Sequence, residues 1–99
     1  MYNLRKDDKQ ELKVAKFQHI KGGCEILSND GGVKIRLTKS FFNGTTFYTT
    51  SYMIKNGTGY ERLEGGQPYG SIDEYMERLS AHEDYTEAYY DYIQTKKKL

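Results

Sequence analysis

Two Asn-Gly pairs, Asn43-Gly44 and Asn56-Gly57, bracket a run in which almost every residue is β-branched or aromatic: Thr45, Thr46, Phe47, Tyr48, Thr49, Thr50, Tyr52 and Ile54. Asn-Gly is the strongest short hairpin signal, because a type I′ turn needs positive φ at both central residues. The run between the pairs is composed as a strand is composed. Upstream, Val33, Ile35 and Leu37 alternate with Lys34, Arg36 and Thr38, the period of a half-buried strand. Asn29-Asp30-Gly31-Gly32 and Gly22-Gly23 punctuate the chain before it. The spacing predicts an antiparallel β-meander of about five strands over residues 11–64.

A two-residue loop at Asn43-Gly44 sets a register. Phe42 falls opposite Thr45, Leu37 opposite Thr50, Ile35 opposite Tyr52 and Val33 opposite Ile54. The last three pairs form the core face, and the same parity adds Cys24, Ile26 and Leu63. Lys34, Arg36, Phe47, Ser51, Met53, Tyr60 and Arg62 go to the other face, with Glu25 across from Arg36. The first strand, Leu12 to Ile20, conflicts with itself: Val14 and Phe17 cannot both face inward without a bulge.

The pattern changes after the breaker cluster Gly65 to Gly70. Ser71 and Glu74 have capping-box spacing, which predicts a helical start and a helical segment over 71–95. At 100° per residue Ile72, Tyr75, Met76, Leu79, His82, Tyr89, Tyr90 and Ile93 share one arc. Asp73, Glu77, Asp84, Glu87 and Asp91 form a narrow stripe opposite, with Tyr85 and Tyr92 to one side of it. A break near His82 is the alternative, since Asp84 and Glu87 repeat the capping-box spacing. An unbroken helix of about 24 residues would be roughly 36 Å long and would overhang strands of roughly 20–27 Å, leaving apolar surface for a partner or a homodimer. The fold class expected is α+β in one domain, with 1–10 flexible and 96–99 a basic tail.

Several classes drop out on composition. No apolar run reaches the roughly 18–20 residues of a membrane span. The single Cys24 cannot form an intramolecular disulfide, and Met1 to Gln10 carry charges where a secretion signal would be apolar. A cytoplasmic protein is expected, and the sequons at Asn43 and Asn56 read as turns. No P-loop, dinucleotide fingerprint, paired Cys-x-x-Cys or nucleophile elbow is present, so no enzyme and no cofactor are expected. His19 and Cys24 flank the first hairpin turn, but a small buried thiol beside a strand histidine accounts for them. His82-Glu83-Asp84 points its side chains in different directions along a helix, and no metal is expected there.

Charge is segregated along the chain. Residues 1–68 hold eleven Lys/Arg against seven Asp/Glu, residues 69–95 one Arg against seven acids, and Lys96 to Lys98 follow. Two binding surfaces result. One is the acidic helical stripe, Asp73, Glu77, Asp84, Glu87 and Asp91, with Tyr85 and Tyr92: a row of carboxylates that could enter a basic groove as phosphates do. The other is the outward sheet face, where Lys34, Arg36 and Arg62 mingle with Phe47 and Tyr60, the combination that single-stranded nucleic acid binders use.

In its order of elements the chain resembles the single-strand-binding transcriptional coactivator fold. In size, composition and acidic face it is similar to small proteins of phages and mobile elements, among them anti-CRISPR-like counter-defence inhibitors. That likeness implies a non-catalytic inhibitor or adaptor whose acidic helix docks on a protein partner with a basic, nucleic-acid-binding surface. A single-stranded nucleic-acid-binding domain is the alternative.

Overall fold

The computed structural model describes residues 14–63 and 67–97. Five antiparallel strands follow one another in space as in sequence: β1 (Phe17–Ile20), β2 (Gly23–Leu27), β3 (Val33–Phe42), β4 (Thr45–Asn56) and β5 (Gly59–Leu63). Helix α1 (Ile72–Leu79), a 3₁₀ turn (Glu83–Tyr85) and helix α2 (Thr86–Lys97) complete the α+β meander. The expected 1–10 segment, Leu12, the Gly65-Gly66 pair and the end of the basic tail lie outside the described residues. Lys96 and Lys97, expected in that tail, form the last turn of α2.

The register is the one the turn chemistry dictates. Phe42 pairs with Thr45, Leu37 with Thr50, Ile35 with Tyr52, Val33 with Ile54 and Glu25 with Arg36. Asn43 (φ 52°) and Gly44 (φ 76°) both adopt the left-handed backbone of a type I′ turn. The β4–β5 loop is one residue later than Asn56-Gly57: Asn56 pairs with Gly59, leaving Gly57-Thr58 as the turn. A one-residue displacement of a loop slides the pairing by two, so the faces are unchanged. The inner parity of β1 needs no bulge, because the strand starts only at Phe17 and Val14 lies exposed before it. Gly23 is required by space: a Cβ there would sit 1.7 Å from the Leu37 carbonyl oxygen.

Phe17, Cys24, Ile26, Ile35 and Leu37 form the inner sheet face and are buried against Tyr75, Met76, Leu79, Ala88 and Tyr92 of the helices. Burying each large apolar side chain contributes about 1.5–3 kcal/mol, well above what an exposed polar pair supplies, so this layer fixes the fold. Ile54 and Leu63 have the expected inner parity but remain exposed, since β4 and β5 run past the helical layer.

The helical segment breaks at Ser80 to His82. Ser71 Oγ accepts from the Glu74 amide (3.1 Å), and Glu74 Oε1 accepts from the Gly70 amide (3.0 Å), closing the capping box one residue earlier than its usual return. At the other end Ser80 Oγ donates to the Glu77 carbonyl (2.6 Å), and His82 is extended. The two helices are about 12 and 18 Å long, so neither forms the roughly 36 Å helix expected from unbroken periodicity.

The start of α2 is held from outside the helix. Asn29, in the β2–β3 loop, accepts at Oδ1 from the Glu87 amide (3.0 Å). Its Nδ2 donates to the Glu83 carbonyl (2.8 Å) and Thr86 Oγ1 (3.1 Å), and its own amide donates to the Asp84 carbonyl (2.7 Å). A sheet loop thus performs the N-capping that a residue preceding the helix normally performs.

Candidate functional site

The break changes the acidic face. Asp73 accepts a short hydrogen bond from the Tyr92 hydroxyl and lies 3.8 Å from Lys96 Nζ. Glu77 accepts from the Tyr89 hydroxyl (3.2 Å), Asp91 from the Lys16 amide (2.8 Å), and Glu87 lies 3.9 Å from Lys16 Nζ. Asp84 stands in the 3₁₀ turn. The expected continuous row of five acids along one helix therefore does not form; the acids are divided between two helices and a turn, and four of them face groups of the same chain.

The flanking tyrosines are also corrected. Tyr92 is 3% exposed and packs edge-on against Phe17 with ring centroids 5.2 Å apart, whereas Tyr90, expected inward, is 61% exposed. Tyr85 is half-buried against the core; burial and the Asp84 charge push its hydroxyl pKa up. Restarting the helix at Thr86 turns Ala88 and Tyr92 to the sheet.

The outward sheet face is built differently. The helices pack on the inner face, so among the described residues the outer face of β3, β4 and β5 carries no second layer. Pairing places Lys34 beside Met53 and Met53 beside Arg62, Arg36 beside Ser51, and Lys55 beside Tyr60. All of these are half-buried or exposed, as is Phe47. The structure thus brings together on one face all five residues expected there, Lys34, Arg36, Phe47, Tyr60 and Arg62, although Phe47 lies about 27 Å from the Lys55 level, at eight residues along β4.

Lys55, a fourth cation on this face, was not singled out in the sequence. The signal for it is an absence: residues 31–60 carry Lys34, Arg36, Lys39 and Lys55 and no Asp or Glu at all. Among the outward strand positions the single carboxylate is Glu25, whose Oε2 accepts from Arg36 Nε (2.8 Å) and Nη2 (2.5 Å). Burial pushes the Glu25 carboxyl up, but hydrogen bonds from Arg36 and Gln18 and the Arg36 charge outweigh it and hold its pKa below the ordinary value. Lys34 Nζ lies 4.6 Å from the centroid of the Tyr60 ring, whose hydroxyl donates to the Gly31 carbonyl (2.9 Å). Arg62 Nη2 donates to Ser51 Oγ (3.3 Å). Lys34, whose charge also helps to hold the Glu25 pKa down, and Lys55 and Arg62 thus make no ion pair among the described residues. A shallow depression of about 200 Å³, lined by Val14, Ala15, Gln18, Glu25, Leu27 and Lys34, continues the face toward β1.

Beyond the end of β2 this face narrows to a finger. Lys39 donates its amide to the Gly22 carbonyl, and past it Ser40–Phe42 and Thr45–Phe47 have, among the described residues, only each other as strand partners. Phe41, Phe42 and Phe47, three of the chain's four phenylalanines, are on this finger. Phe41 and Phe42 are 72% and 66% exposed and point to opposite faces. Sequence reasoning used Phe42 only to set register and missed both as surface.

His19 and Cys24 pair across the first hairpin as expected. Cys24 is fully buried, and burial pushes its thiol up to about 12, so it is protonated at neutral pH. Among the described residues no three His, Cys, Asp or Glu side chains are grouped to hold a metal, and no helix is long and apolar enough to cross a membrane. No protein-family model matches the chain, and no characterised protein or solved structure matches it.

Proposed function

We propose that this chain is a non-catalytic, cytoplasmic binding module for single-stranded nucleic acid, which lies along the outer face of β3, β4 and β5. The observation that carries the reading is the acid-free β3–β4 hairpin, three of whose four cations, Lys34, Arg36 and Lys55, line a sheet face left open by one-sided helix packing. Lys34, Lys55 and Arg62 track phosphates, while Tyr60 at one end and Phe47 with Phe42 at the other offer rings on which bases stack. Extended strands can meet such a face because their bases are free to splay onto it; a duplex keeps its bases stacked inside. The competing reading, an inhibitor presenting an acidic helix to a basic protein, has less support, since its carboxylate row is divided and Tyr92 is interior.

The test is fluorescence anisotropy with a mixed-sequence single-stranded oligonucleotide. Three unpaired cations imply a slope of log affinity against log salt of about −2, hence roughly 20-fold weaker binding at 200 mM than at 50 mM salt. Lys34→Ala and Arg62→Ala each reduce that slope. An absence of binding at 50 mM salt sinks the reading and returns the exposed acids of the C-terminal segment to first place.

A further inference from the structure

A carboxylate stands on the face that a polyanion would cover. Glu25 points outward between Gln18 and Arg36, its side chain 14% exposed, and beside phosphates it weakens binding unless it meets a hydrogen-bond donor. In a DNA strand those donors are on the base edges. Glu25 is only partly engaged within the chain: Oε2 accepts both bonds from the Arg36 guanidinium, whereas Oε1 accepts a single long one from Gln18 Nε2 (3.3 Å). Its pKa lies below the ordinary value, so at neutral pH it accepts and does not donate. Glu25 and Gln18 border the depression of about 200 Å³, whose apolar lining is Val14, Ala15 and Leu27, none of them part of the core. Lys34 lines it as well. Leu27 pairs with Lys34, Lys34 with Met53 and Met53 with Arg62, so the depression and the cations share one row across the sheet.

Resting on the reading above, we infer that this depression holds one base of the bound strand, and that the base is guanine. The space is smaller than the roughly 300–1,000 Å³ of pockets for drug-sized ligands and is on the scale of one planar ring system. Its apolar lining suits the faces of such a ring, and its polar members suit the edge. Identity follows from the inventory of donors and acceptors. Gln18 Nε2 is engaged by Glu25, which leaves Gln18 Oε1 as an acceptor beside Glu25 Oε1. Guanine alone among the four bases carries two adjacent donors on one edge, N1–H and the 2-amino group; adenine, cytosine and thymine each present one. The next atom along that edge of guanine, O6, is an acceptor, and Lys34 is the donor that borders the same depression. Two acceptors and one cation thus meet two donors and one carbonyl, next to the cations that hold the phosphates.

The experiment compares four labelled DNA probes at low salt: oligothymidine of about 12 nucleotides, and the same strand with one central guanine, adenine or cytosine. DNA has no 2′-hydroxyl, so the base is the only donor that varies. The full chain is used with its Gln18→Ala and Glu25→Gln variants, and thermal melts establish that each is folded. The expected result is a guanine probe bound at least about fivefold tighter than the other three. Gln18→Ala loses that preference with its salt slope unchanged, because no charge is altered. Glu25→Gln loses it too, yet binds plain oligothymidine more tightly, since the freed Arg36 acts on phosphates whatever the base. A merely structural role for either side chain would shift Tm and leave the ratio between probes where it was. Equal affinity for all four probes, a preference for another base, or a guanine preference that survives either substitution overturns the inference while leaving the face reading standing. No binding to any probe overturns both. Competition by free guanosine monophosphate as strong as by the guanine-bearing strand also overturns the inference, and assigns the depression to a free nucleotide.

Discussion

Replacing Glu25 by Gln should make the protein a better binder. Glu25 is the single outward carboxylate among the described strand residues, and it occupies Arg36 by accepting two hydrogen bonds from its guanidinium. The amide of Glu25→Gln can still accept one of them but no longer cancels the guanidinium charge, so the open face gains one available cation. For single strands each phosphate neutralised steepens the salt slope by about 0.7, taking it from about −2 to about −3. The added affinity is then about eightfold at 50 mM salt and about fourfold at 150 mM. Stability should fall by about 1 kcal/mol, since the Arg36 side chain is 44% exposed and pairs open to solvent contribute little. The pH dependence follows from the lowered pKa of Glu25. Its contribution to stability is complete above the unfolded carboxylate value and is lost as pH falls through the lower folded value; Glu25→Gln removes that acid-side loss. Anisotropy titrations at four salt concentrations measure the slope. A variant with unchanged slope, or with weaker binding, would refute the assignment of the ligand to this face. Adding Arg36→Gln to Glu25→Gln should return both slope and affinity to those of the parent.

Asn29→Ala removes the side chain that caps α2 from the β2–β3 loop, and should cost about 1–2 kcal/mol and lower Tm by about 4–8 °C per kcal/mol; a melt within a degree of the parent would show the cap to be idle. Tyr92→Ala should destabilise by about 3–5 kcal/mol in urea, whereas Tyr90→Ala should change stability by less than about 0.5 kcal/mol; the reverse order would restore an unbroken helical phase. Cys24 should react with an alkylating probe near neutral pH only as fast as the protein unfolds, and rapid labelling of the native state would reopen thiol chemistry at this position.

The sheet was legible because its determinants are local. A turn of fixed length between two alternating strands leaves one pairing that buries Ile35 and Leu37 together, and Asn43-Gly44 permits only a short loop. Even the displaced loop at Gly57-Thr58 kept every face, because parity survives a two-residue slide. The helical segment was less legible for the same reason in reverse. A phase carried at 100° per residue holds only while the helix is continuous, and the extended His82 resets it. Ser80 ends α1 through a bond to the Glu77 carbonyl, a local contact that the 100° phase does not register. Ala88, fully buried in α2, is too small to mark an inward face. The cap supplied by Asn29 joins residues 58 positions apart and leaves no spacing to read. At the site, the outward cations followed from strand parity. The exposure of Phe41 and Phe42 depends instead on where β2 stops, which alternation along β3 does not record.

One-after-another strand order also governs how the chain finds its structure. The β3–β4 and β4–β5 hairpins close over two-residue turns and need no distant partner, so they can form on a microsecond scale. The Lys16 amide meets the Asp91 carboxylate across 75 residues, and Phe17 meets Tyr92 across a similar span. That closure carries the largest entropic penalty and has no reward until the sheet is in place. The basic hairpin is thus expected to assemble before the acidic segment docks, with the docking of α2 on β1 as the closing step.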